Sequence, residues 1–105
     1  MTENEYQRKL IRKLRNMFPG CVILKNDSAY QQGVPDLTIF FGRCWAMLEV
    51  KADPNAKEQP NQRHFVERLS EMSFAAFIYP ENEPEVLIAL QQAFAVSGSA
   101  CISES

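Results

Sequence analysis

The chain has 105 residues, 46% of them hydrophobic and 23% charged, with a formal net charge of −2. That length predicts one domain with a core large enough to fold without disulfides, and the composition excludes disordered, collagen-like and disulfide-rich classes. No apolar stretch is long enough to span a bilayer, the polar start shows no secretory h-region, and Cys21, Cys44 and Cys101 lack metal-ligand spacing; together these predict a cytoplasmic protein.

Residues 4–17 place Tyr6, Leu10, Leu14 and Met17/Phe18 at helical spacing, with Thr2 as N-cap, Glu5 completing a capping box and Pro19-Gly20 as the stop. Cys21–Lys25 reads as a short strand and residues 26–33 as a polar loop. Leu37–Phe41 and Cys44–Lys51 form two strands about Gly42-Arg43. Their apolar residues on both sides predict a hairpin central in a sheet covered on both faces. Residues 52–60 are a loop. A helix from about Asn61 to Met72 turns Phe65, Leu69 and Met72 inward, and Phe74–Tyr79 is a fourth strand. After the acidic turn Pro80–Pro84, a last helix over Glu85–Ala95 turns Val86, Leu87, Leu90 and Phe94 inward. Residues 1–96 are thus expected to be a single domain and residues 97–105 a flexible tail. The order is α-β-β-β-α-β-α, an α/β fold with a mixed central sheet flanked by helices.

If Gly42-Arg43 is a two-residue turn, Phe41 faces Cys44, and counting back sets Asp36 opposite Glu49. Directly opposed residues have Cβ atoms roughly 4.5–5.5 Å apart. Two carboxylates that close repel each other unless a positive group intervenes, and a divalent cation with oxygen ligands resolves the conflict. Lys51 lies two residues beyond Glu49 and shares its face. The charge distribution supports this reading. All eleven Lys and Arg lie in residues 1–68 with eight acids, whereas residues 69–105 hold five acids and no base. A positive frame around an acidic pair suits a metal-dependent enzyme acting on a polyanion. Arg8, Lys9, Arg12, Lys13 and Arg15 read equally well as a solvated helix face.

Pro35-Asp36 followed by Glu49-x-Lys51 on adjacent strands, in this element order, resembles the PD-(D/E)-x-K nuclease superfamily. Gly33-Val34-Pro35-Asp36-Leu37, Leu48-Glu49-Val50-Lys51 and Gln62 at a helix start resemble its VRR-Nuc branch, which includes small stand-alone phage and bacterial nucleases. The likeness covers about residues 3–80. It implies a restriction-endonuclease-like core and an Mg²⁺-dependent endonuclease, with Mn²⁺ as substitute and no small-molecule cofactor. Asp36, Glu49 and the Val50 backbone carbonyl would hold the metal, and Lys51 would orient or help deprotonate water and stabilise charge on the phosphate. Gln62 would lie near the active site; the alternative is a solvated first-turn residue. Many relatives add a first-helix glutamate, for which Glu3, Glu5 and Gln7 compete, with Glu3 as the candidate for a further metal ligand.

Lys25, Ser28, Tyr30 and Gln32 flank the expected pocket and suit phosphate contacts, with Tyr30 able to stack on a base or sugar; an ordinary polar loop is the alternative. Lys57 and Arg63 extend the same surface, and His64 reads as an ordinary surface histidine. The resemblance further implies branched DNA, such as a Holliday junction, as substrate, and a homodimer in the host cytoplasm if phage-encoded. Val86, Ile88 or Phe94 would form its interface or complete the core. The rival expectations are a repair or restriction-like nuclease acting on duplex or flap DNA, a non-catalytic nuclease-fold module that binds DNA or a protein, and a small α/β interaction protein with no nucleic-acid role.

Overall fold

The computed structural model describes the backbone of residues 1–103 and the side chains of residues 1–96. Its elements are α1 (Glu3–Met17), β1 (Val22–Lys25), β2 (Leu37–Phe41), β3 (Cys44–Val50), α2 (Gln62–Ser70), β4 (Phe74–Ile78) and α3 (Glu83–Ser103), in the expected order. The side-chain oxygen of Thr2 accepts from the Glu5 N–H at 3.1 Å and caps α1. Tyr6, Leu10 and Leu14, one turn apart, are buried as the spacing requires.

The strands form one sheet in the order β1-β2-β3-β4, antiparallel except for the β3–β4 pair. Gly42 has φ +62, the value for the first position of a two-residue turn that matches strand twist. The turn sets Phe41 opposite Cys44 and, at the far end, Leu37 opposite Leu48. The next positions outward are Asp36 and Glu49, so the register counted from the sequence holds. The chain then leaves β3, crosses through α2 and returns parallel as β4, which brings the start of α2 beside the end of β3.

One sheet face, with Leu37, Ile39, Ala46, Leu48, Val50 and Ile78, packs in a single apolar core with α1 and α3 side chains. Each side chain fully buried there contributes about 1.5–3 kcal/mol. The Tyr6 hydroxyl donates to Glu83 Oε1 at 2.8 Å and Lys13 pairs with the same carboxylate, which ties α1 to the start of α3. Burial and the adjacent Glu83 carboxylate push the Tyr6 hydroxyl pKa up.

The opposite face departs from the expectation of two covered faces. Helix α2 packs mainly on β3 and β4. Val22, Leu24 and Phe40, on β1 and β2, stay 54%, 50% and 42% exposed. Met72, expected inward, lies past the end of α2 and is exposed. Helix α3 begins at Glu83, because Pro84 fits a first turn, where no intrahelical N–H bond is lost. It continues to Ser103 rather than stopping at Ala95. The expected flexible tail falls on residues 97–105, whose side chains, and at 104–105 whose backbone, lie outside the described residues. Of the apolar α3 positions weighed for an interface, Phe94 is in the core, Val86 packs against it and Ile88 is exposed. Among the described residues, no helix is long and apolar enough to cross a membrane.

Gly33 joins the β1–β2 loop to α2. Its φ is +90, and a Cβ there would lie 2.6 Å from the Asn61 Cβ and 2.7 Å from the Asn61 carbonyl carbon. Asn61, at the helix entry, also has a positive φ of 70. Gly33→Ala therefore meets both a strained backbone and a clash with backbone atoms, and should cost about 2–4 kcal/mol. A chemical-denaturation midpoint equal to wild type would show that this contact does not fix the loop.

Candidate functional site

The pocket is built at the ends of β2 and β3, where the sheet runs out and the loop before β2 meets the start of α2. Asp36, Glu49, Lys51 and Gln62 line a cavity of about 400 Å³ together with Glu3, Ser28, Gln32, Lys57 and others. Asp36 is held by its Oδ2, which accepts from the Val50 N–H at 2.9 Å. In an extended strand the N–H and C=O of one residue point to the same side, so the Val50 carbonyl also faces the Asp36 edge.

Glu49 is 2% exposed. Its Oε2 accepts from Gln62 Nε2 at 2.7 Å and lies 3.5 Å from Lys51 Nζ. Its Oε1 is buried with no hydrogen-bond partner. The Lys51 ammonium is itself buried; it donates to Gln62 Oε1 at 2.8 Å and to the Lys57 carbonyl at 3.2 Å. Gln62 Oε1 also accepts from the Gln59 N–H at 2.7 Å. Gln62 thus links the acid to the ammonium and is no solvated first-turn residue.

Both carboxyl pKa values are displaced upward. Burial raises Asp36, opposed by the Val50 hydrogen bond, the Lys51 charge, a carboxyl–carboxyl hydrogen bond with Glu49 and the Lys25 charge. Burial raises Glu49 most, the neighbouring Asp36 charge adds to it, and Lys51 opposes, leaving Glu49 at about 8. Glu3 adds a further small upward push on Glu49 from the rim. Two acids that resist joint ionisation, one with a bare buried oxygen, form a donor set that a divalent cation completes. Asp36 and Glu49 are the side chains that could hold such an ion. Among the described residues, no group of three or more His, Cys, Asp or Glu side chains assembles as a metal site. Asp36 and Glu49 are the buried-side carboxylates of the pocket lining, with Glu3 exposed at its rim.

The other expected residues separate. Ser28, Gln32 and Lys57 line the same cavity, and Lys25 acts on Asp36 through its charge. Glu5 is spent on the Thr2 cap, and Gln7 is buried on α1 away from the pocket lining, so of the three first-helix candidates the structure brings Glu3 to the site. Tyr30 lies outside this cavity, on the other side of its loop. Arg63 pairs with Glu58 at 2.5 Å, sits 4.9 Å over the Phe77 ring and borders a separate hollow of about 270 Å³ behind Lys51. His64 is an exposed residue beside Phe65, as expected. Gln59, whose backbone N–H fixes Gln62, carries no signal in the sequence beyond lying three residues before it.

No protein-family profile, curated protein or solved structure matches the chain.

Because the folded-state Glu49 pKa is raised, the folded chain holds that proton more tightly than the unfolded chain. Its stabilising effect is full below the ordinary glutamate pKa and is lost as pH rises through the folded value. In EDTA the melting temperature should fall as pH rises from about 5 to about 8, and Glu49→Gln should flatten that slope. A wild-type melting temperature that does not change over this range would contradict the buried acid pair.

Proposed function

We propose that the chain is a metal-dependent nuclease that hydrolyses DNA phosphodiester bonds on a PD-(D/E)-x-K-like core. The observation that carries this reading is the buried Glu49 carboxylate. One of its oxygens is fixed by Gln62 and Lys51, and the other is left without a partner in a pocket shared with Asp36. The α-β-β-β-α-β-α order and the mixed sheet are compatible with the resemblance.

In this reading Asp36, Glu49 and the Val50 carbonyl would hold Mg²⁺ or Mn²⁺, with Glu3 as a further candidate at the rim. The bound ion supplies Lewis-acid polarisation of the phosphate and a more acidic water. The side chains do the rest. Gln62 holds Lys51 and Glu49 in a fixed relation, so no reorganisation is needed as charge develops. Lys51 stabilises negative charge on the phosphate and orients the water that attacks it. Ser28, Gln32, Lys57 and Lys25 contact phosphate oxygens and set the backbone's position without reading bases. Branched DNA and a homodimer complete the proposal, and both rest on the resemblance.

Asp36→Asn and Glu49→Gln should each lower Mg²⁺-dependent cleavage of a labelled four-way junction at least a hundredfold while DNA binding persists, about 3 kcal/mol or more of lost transition-state stabilisation. Lys51→Ala should reduce turnover with little change in the Mg²⁺ concentration at half-maximal activity. Equal cleavage by wild type and both acid variants would rule out the metal site. A Lys51→Ala defect confined to metal affinity would reassign the lysine.

A further inference from the structure

The loop of residues 26–34 separates two cavities. On one side is the carboxylate pocket; on the other is a shallow hollow of about 510 Å³ lined by Asn26, Asp27, Tyr30, Gln31 and Val34. Val34 lines both, so the two cavities share a wall. The loop is held along its length. The Asn26 side chain donates to the Pro35 carbonyl at 2.9 Å and to Thr38 Oγ1 at 2.8 Å. Asp27 accepts the Ala29 N–H at 2.9 Å on its carboxylate and the Tyr30 N–H at 3.1 Å on its carbonyl. Val34 donates back to the Gln31 carbonyl at 3.2 Å, and Gly33 is seated on Asn61. Yet this pinned loop holds Tyr30 91% exposed. The ring is thus presented to solvent from a backbone that is held on both sides of it.

The chemistry of the second hollow differs from that of the first. No lysine or arginine lines it, and its polar groups are two amides and the Asp27 carboxylate. An acid without a cation repels phosphate. Amides and a carboxylate beside an aromatic face instead match the hydrogen-bonding edge and π-face of a nucleobase. We infer that this hollow is a nucleobase subsite, which takes an unpaired base next to the phosphate held at the carboxylate pocket, with Tyr30 stacked on the base and Gln31 and Asp27 at its edge. The inference rests on the nuclease reading and narrows its substrate class. A base inside an intact duplex is stacked on both sides and cannot enter without an unstacking cost, whereas one at a junction, bulge or flap is already available. Preference for branched or single-stranded positions then follows from one loop.

The test uses the full chain in EDTA with two oligonucleotide duplexes, one fully paired and one with a single unpaired 2-aminopurine, a base analogue whose emission falls on stacking. Wild type should quench the unpaired analogue. Tyr30→Ala should remove the quench and weaken binding of that oligonucleotide about tenfold, leaving the paired duplex unaffected, while Tyr30→Phe keeps both properties. Identical affinity and emission for wild type and Tyr30→Ala would overturn the subsite. In that case Mg²⁺-dependent nicking of supercoiled plasmid, measured in parallel, reports whether the nuclease reading still stands. Absence of both nicking and binding would overturn the two together.

Discussion

The molecule is organised around one buried carboxylate. Glu49 occupies the end of a central strand, where it is almost fully buried and the neighbouring Asp36 is a second acid. A lone acid there would cost several kcal/mol to ionise. The protein offsets half of that problem: Gln62 and Lys51 engage one oxygen and leave the other bare. A structural ion pair would be expected to satisfy both oxygens. An acid that is satisfied on one side only has a vacancy in its hydrogen bonding, and such vacancies are rare in folded proteins unless something else fills them.

The fold serves that carboxylate through two long-range connections. The parallel crossover from β3 through α2 to β4 carries Gln62 to the end of β3, where it reaches Glu49 thirteen residues away in sequence. The contact of Gly33 with Asn61 presses the β1–β2 loop onto the same helix start, so pocket wall and bridging amide share one anchor. Lys51 is positioned by both, through the Gln62 amide and through the Lys57 carbonyl in the loop that precedes α2.

Much of this arrangement is legible in the sequence, for a definite reason. Gly42 supplies a tight turn, a tight turn fixes the strand register, and a fixed register forces Asp36 and Glu49 together. The helical spacing of Tyr6, Leu10 and Leu14 is similarly unambiguous. What could not be read depends on contacts between distant segments. The separation of Tyr30 from the carboxylate pocket is set by how the loop lies on Asn61, which no local pattern encodes. Phe40 is expected under cover because both sides of its hairpin are apolar, but apolarity does not guarantee burial. The start of α3 was misplaced because Pro84 read as a turn residue, although the first turn of a helix accepts proline equally well. The role of Gln62 came from resemblance alone; its bridging geometry needs the three-dimensional path of the crossover.

The partly bare second face has a consequence for the behaviour of the protein in concentrated solution. Strand β1 lies at the sheet's edge, carries Val22, Ile23 and Leu24 in succession, has no proline and has a single charge, Lys25, at its end. Proteins guard such edges by keeping them short and by adding charges, prolines or bulges; β1 has the short length and Lys25, but no proline. The adjoining Val22, Leu24 and Phe40 surface adds an apolar reason for two copies to meet where backbone groups are free to pair. Self-association through this edge would bury apolar area and so resist added salt, in contrast to contacts held by the charged α1 face. A charge placed at Val22 or Leu24 would therefore change association through this edge more than the same charge added to the α1 face.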